Sequence, residues 1–243
     1  MFPSPRYIPA GDSALVVELG NSISPHVNRM VHNLARAVEK EAVNGVVDLT
    51  PSYRSLLVYY NPSVIAASDL QKKLHALHGS LLEGAARGKA RVVRVPTLYG
   101  GDMGPDLEVV AKHNSLSTDE VIQIHSSADY LVYMLGFSPG YPYLGGMSER
   151  IATPRLKTPR TAVPAGSVAL AEKQTGVYPT ETPGGWQILG RTPLKFFDAS
   201  RDKPSLVEPG DYIRFVAIDA GEYARVKKQV DEGTYQVKIE AKD

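Results

Sequence analysis

The chain contains no cysteine. That excludes disulfides, thiolate nucleophiles and sulfur-ligated zinc together, and it fits a reducing cytoplasm. Charge of one sign is also missing: the net charge is +1 across 243 residues. Bulk electrostatics therefore make no case for nucleic acid or an acidic membrane surface as a partner. No apolar run approaches the roughly 20 residues of a membrane span. The opening Met-Phe-Pro-Ser-Pro-Arg lacks the charged-then-apolar pattern of a signal peptide. These absences read as a cytoplasmic protein with no membrane segment. Neither Gly-x-Gly-x-x-Gly nor Gly-x-x-x-x-Gly-Lys-Ser/Thr occurs, so neither a dinucleotide fold nor a P-loop is supported. Histidine is absent beyond position 125: His26, His32, His75, His78, His113 and His125 are the whole set. His75 and His78 could share a helix face, but no third ligand lies near in sequence, and a solvated face is the simpler reading.

What is present is a hydrophobic content of 43%, enough for an ordinary packed core. Ala14 to Leu19 reads as a strand after the Gly11-Asp12 turn. Ser24 precedes Pro25, a good first helical residue. Val27, Met30, Val31, Leu34 and Val38 then fall on one helical face. Val46 to Thr50 and Ser55 to Tyr60 read as two strands split by Pro51. Ser68 is a plausible cap for a helix whose face carries Leu70, Leu74, Leu77 and Leu81. Strand, helix, strand, strand, helix suggests a small α+β sandwich.

The composition shifts at residues 83–89, which places a domain boundary there and domains at 1–85 and 90–243. Beyond it, Arg91 to Val95 reads as a strand ended by Pro96. A helix follows Pro105, and a capping-box sequence at Ser117-Thr118-Asp119-Glu120 opens another. Tyr130 to Leu135 reads as a strand. Short strands follow near Val168 to Leu170, Trp186 to Leu189 and Tyr212 to Val216, a spacing that suggests a β-barrel or sandwich. A helix over Ala220 to Val230 and a strand over Thr234 to Ile239 close the chain.

Between Gly136 and Pro193 lie nine of the 21 glycines and eight of the 18 prolines. Aromatics (Phe137, Tyr141, Tyr143, Tyr178, Trp186) and arginines (Arg150, Arg155, Arg160, Arg191) are interleaved with them. Floppy linkers carry few large aromatics, whereas shaped loops bearing Tyr, Trp and Arg are where sites are built. A β-rich domain with many turns is the plainer alternative, and ordinary surface salt bridges are the plainer alternative for each arginine. The region holds no histidine, so a His-assisted nucleophile could form there only if a helix folded over it. Cationic side chains and glycine amides suit carboxylate or phosphate binding. The candidate site is the loop Phe137, Ser138, Pro139, Gly140, Tyr141 to Tyr143, with Arg155 and Arg160. The turn Pro164, Ala165, Gly166, Ser167 and the turn Pro183, Gly184, Gly185, Trp186 complete it. Arg160, with Arg155 and Ser167, is given the catalytic role, Arg160 as an electrostatic clamp on a carboxylate or phosphoryl group. Gly145 and Gly146 read as turn residues only. No metal site is expected.

Several segments together resemble one bacterial family. They are Gly11-Asp12-Ser13-Ala14, Tyr53-Arg54-Ser55-Leu56-Leu57-Val58, and Tyr99-Gly100-Gly101 with Gly104-Pro105-Asp106-Leu107. They continue with Gly136 through Leu144, Pro159-Arg160 with Val163 through Val168, and Thr182-Pro183-Gly184-Gly185-Trp186. The family is that of the 5-oxoprolinase B component, also described as allophanate hydrolase subunit 1 or sporulation-kinase inhibitor. The resemblance implies an α+β chain whose small N-terminal α/β sandwich is followed by a cyclophilin-like β-barrel. It implies two partners, a homologous C component and a separate A component of the same 5-oxoprolinase. Together the three open 5-oxoproline to glutamate with ATP hydrolysis, the B and C components activating the lactam by phosphorylation. It leaves the ATP site atypical or shared with the partner, with magnesium as a possible companion. A related region of urea carboxylase works in carboxyl transfer from biotin, but no biotin-carrier segment is present here. Two other roles stand beside the hydrolase: inhibition of a sensor histidine kinase, and a carboxyltransferase-like part in urea or allophanate metabolism. Prolyl isomerisation is disfavoured, because nothing matches the cyclophilin catalytic segment.

Overall fold

The structure is a computed structural model that describes residues 1–84 and 90–242. The chain divides into two compact units, residues 1–88 and 89–243. Of the boundary expected at residues 83–89, residues 85–89 lie outside the described residues.

In the first unit, β1 (Arg6–Pro9), β2 (Ala14–Glu18), β4 (Ser55–Tyr60) and β3 (Val46–Pro51) form an antiparallel sheet in that order. Leu15 pairs with Val58 and Val17 with Leu56, so both pairs face one side. Helices α1 (Pro25–Lys40) and α2 (Ala67–Gly84) supply the apolar residues that bury with them, among them Val31, Leu34, Leu70 and Leu74. The Ser24 side chain caps α1 by accepting from the Val27 N–H at 3.2 Å, and Pro25 opens the helix. This is the start the sequence suggests. Two expectations need correction. Helix α2 begins at Ala67, so Ser68 lies inside it and is not its cap. The α2 face carrying His78 is not solvated: His78 is buried on the stripe begun by Leu74, its Nε2 has no partner among the described residues, and burial lowers its pKa.

In the second unit a sheet runs β10 (Gln174–Val177), β9 (Ser167–Ala171), β12 (Gln187–Arg191), β5 (Arg91–Tyr99), β13 (Tyr212–Ala217), β6 (Tyr130–Leu135), β7 (Pro142–Gly145). Its ends β7 and β10 lie side by side, so the sheet curls into a nearly closed barrel. A two-stranded ribbon of β8 (Arg160–Val163) and β11 (Thr182–Gly184) packs outside it. Helices α3 (Leu107–His113), α4 (Thr118–Ser126) and α5 (Ala220–Asp231) contribute Val110, Val121 and Val226 to the barrel core. The α4 capping box forms as read from Ser117 and Glu120.

Strand β5 does not stop at Pro96. The Arg94 N–H donates to the Lys238 carbonyl beside β14 (Ile239–Ala241), an antiparallel partner of β5. Two residues on, the Pro96 nitrogen faces the same side. There β14 pairs only as far as Val93, and β12 begins pairing only at Leu98. Proline's missing donor therefore falls in a gap and no ladder bond is lost. The final strand is displaced from its expected place: residues 234–238 are irregular and only Ile239–Ala241 pairs.

Candidate functional site

The loop between β6 and β7 is tightly turned. The Ser138 N–H donates to the Gly136 carbonyl at 2.7 Å, which closes a three-residue turn around Phe137. Phe137 takes φ +62°, a conformation costly for a large side chain. The Tyr141 N–H then donates to the Ser138 carbonyl at 3.0 Å across Pro139-Gly140. Gly140 has φ +76°, as the third position of a type II turn requires. The result holds Phe137 out at 66% exposure while Tyr141 turns inward at 3%.

Tyr141 is the hub of an aromatic cluster. Its ring meets Phe137 at 5.4 Å, Tyr143 at 5.4 Å, Tyr178 at 5.6 Å and Trp186 at 6.1 Å, all edge-to-face. Each such pair contributes about 0.5–1.5 kcal/mol beyond burial, so the walls are stiff. They bound a cavity of about 320 Å³ where β7 and β10 meet. Phe137, Tyr141 and Tyr143 line one side, Gln174 and Tyr178 another, Pro183 to Trp186 a third, with Arg155 and Pro159 at the edge.

Arg155 is exposed and sits with Cζ 5.8 Å from the Trp186 ring centroid, a cation–π contact. Among the described residues it has no carboxylate partner. Tyr178 is buried, and burial raises its pKa. Nearby Arg155, the Trp186 backbone and Arg160 oppose that shift more weakly. The phenol is therefore a protonated donor at neutral pH. A Cβ on Gly184 would lie 2.5 Å from the Tyr178 hydroxyl oxygen, so only glycine leaves that oxygen room.

Arg160, expected as a clamp on substrate, is not among the residues lining this cavity. Its Nη2 donates to the Asp106 carboxylate at 2.7 Å and its Nη1 to the Trp186 carbonyl at 3.3 Å. The other Asp106 oxygen accepts from the Ile188 N–H at 2.6 Å. Asp106 is buried, and this use of its carboxylate leaves α3 without a side-chain cap. Arg160 thus braces the back of the Trp186 wall. Ser167 is wholly buried on β9, its hydroxyl without a partner among the described residues and not part of the cavity lining. Pro164, Ala165 and Gly166 do not line it either. Gly166 donates its N–H to the Tyr178 carbonyl and accepts from the Thr192 N–H, which fixes the strand ends. Ser138, Pro139 and Gly140 border a second recess with Leu135 and Gly136, which shares Phe137 with the first. Pro159, Gln174 and Tyr178 are lining residues absent from the expected set. Tyr178 carried a signal as part of the interleaved aromatics and Pro159 as part of the Pro159-Arg160 segment, whereas Gln174 carried none.

A helix does carry a histidine into the barrel. On α4, His125 is fully buried and stacks on Phe215 at 4.5 Å. Its Nδ1 lies 2.7 Å from the Tyr99 hydroxyl and its Nε2 2.8 Å from Thr175 Oγ1, which in turn donates to the Ala169 carbonyl. The chain Tyr99 to His125 to Thr175 to Ala169 is complete with a neutral imidazole protonated at Nε2. Burial takes the His125 pKa down to about 3. It is a core residue and no proton shuttle.

With this geometry in hand, the chain matches the family described as carboxyltransferase domain, subdomain C and D, over residues 5–207. The urea amidolyase of K. lactis shares the fold, with TM-score 0.79 and 22% identity over 98% of this chain and 16% of that one. A 5-oxoprolinase B component from Bacillus subtilis (strain 168) is 43% identical over 228 residues, 90% of this chain and 95% of the relative. The chain therefore belongs to the 5-oxoprolinase B family within the carboxyltransferase C and D class. A solved structure of a conserved uncharacterized protein from Pyrococcus horikoshii is 50% identical, covers 90% of this chain and 100% of that one, and has TM-score 0.54. Among the described residues no helix is long and apolar enough to cross a membrane.

Proposed function

We propose that this chain is the B component of an ATP-dependent 5-oxoprolinase, opening 5-oxo-L-proline to L-glutamate together with the A and C components. Near-full-length identity to a protein named for that role carries the reading. The aromatic cavity supports it, being small, rigid and furnished with one cation lacking a carboxylate partner among the described residues and one buried phenol. Within the complex this chain binds and orients the lactam, and its aromatic walls exclude water from the ring.

ATP and magnesium do not fit this cavity. A triphosphate calls for several cationic or amide donors and a magnesium ion for oxygen ligands. Among the described residues the lining offers one guanidinium and no carboxylate. The nucleotide is assigned to the assembled complex. The test is reconstitution: the chain co-purified with a candidate C component, with the A component added, and ATP-dependent glutamate release followed. The full assembly turns over 5-oxoproline and the chain alone does not. An assembled complex without that activity overturns the reading and favours the kinase-inhibitor role or a urea-related role.

A further inference from the structure

We infer that the aromatic cavity by itself binds a small cyclic amide bearing a carboxylate, Arg155 taking the carboxylate and the Tyr178 phenol donating to the amide carbonyl. This rests on the lactam-opening role proposed above and assigns the recognition step to named atoms of this one chain.

Among the described residues, Arg155 is the only cation on the cavity wall. Its guanidinium face lies toward Trp186, which leaves the N–H edge for a planar anion. Stacking limits the orientations it can adopt, so less freedom is lost when an anion docks. Tyr178 keeps its proton because burial raises its pKa. The Trp186 backbone lies near that oxygen. Gly184 keeps the space beside that oxygen clear. The remaining walls are aromatic rings and prolines, suited to the apolar edge of a five-membered ring. Two separated donors, one charged and one neutral, match the two acceptors of a cyclic amide acid. A lactam without the acid, or a ring acid without the carbonyl, satisfies only one of them.

Trp186 is the only tryptophan in the chain and lines the cavity, so its fluorescence reports occupancy directly. The experiment titrates the isolated chain, without ATP, with 5-oxo-L-proline, 2-pyrrolidinone and cyclopentanecarboxylate, with calorimetry alongside. The expected result is saturable binding of 5-oxoproline about tenfold or more tighter than either half-ligand. Arg155→Met abolishes the preference over 2-pyrrolidinone and leaves that over cyclopentanecarboxylate. Tyr178→Phe does the reverse. Circular dichroism checks that both variants are folded. No saturable binding to the wild-type chain, or unchanged preferences in folded variants, overturns the inference. If the reconstituted complex still opens 5-oxoproline in that case, the proposed function stands without this site. Conversely, specific binding by a chain whose complex is inactive upholds the site and sinks the function.

Discussion

The barrel interior and the cavity at its seam belong to the same unit and treat polar atoms in opposite ways. Inside, Tyr99, His125 and Thr175 form a closed chain in which each donor has an acceptor. At the seam, Arg155 is stacked on Trp186 with no carboxylate partner among the described residues, and the buried Tyr178 phenol lines the cavity. The first arrangement stabilises a fold and the second leaves interactions open to a ligand. Arg155 and Arg160, near neighbours in sequence, fall on opposite sides of that division. Arg160 is committed to Asp106 and the Trp186 carbonyl.

The largest expected effect tests the interior. His125 has a folded pKa of about 3, below its ordinary value near 6.5. Above that ordinary value the imidazole is neutral in both states and its contribution is constant. As pH falls from about 6.5 towards 3, the unfolded chain takes up the proton first, so stability declines by up to about 1.4 kcal/mol per pH unit. Urea melts followed by Trp186 fluorescence should show this slope, and His125→Asn, though less stable at neutral pH, should flatten it. An equally steep slope in the variant would mean that other groups govern acid unfolding. Next, Arg160→Ala leaves the buried Asp106 carboxylate uncompensated. It should cost about 3 kcal/mol and lower the melting temperature by roughly 10 °C. Asp106→Asn, which keeps the shape, should cost less. A normal melt for Arg160→Ala would return that arginine to the group free for ligand. The smallest effect is the sharpest discriminator: Arg155→Met should change stability by less than about 0.5 kcal/mol. A loss comparable to that of Arg160→Ala would make Arg155 a structural residue as well.

The helices were legible because their signals are local. The Ser24 cap, the Pro25 start and the Ser117 capping box each lie within a few residues of what they control. The barrel strands were legible in part. β9, β12 and β13 are apolar runs, whereas β7, β8, β10 and β11 are three or four residues long and held by pairing with distant chain. The site divided in the same way. Its aromatic walls could be read from composition. Which arginine would be free could not, because Arg160 meets its carboxylate 54 positions away. The buried fate of Ser167 was equally hidden, since it depends on β12 and on the Tyr178 backbone crossing it.

The placement of β5 sets the order in which the two units can form during synthesis. The first sheet is complete once Tyr60 has emerged, every strand pairing with chain close behind it. Strand β5 has no such neighbour. Its partners are β12, β13 and β14, the nearest beginning at Gln187 and the last ending at Ala241. At translation speeds of about 5–20 residues per second, β5 waits on the order of ten seconds for its first partner. Through that interval the strand carrying Val92, Val93 and Val95, all buried in the finished barrel, has none of its ladder partners on the nascent chain. A chaperone has its clearest opportunity there.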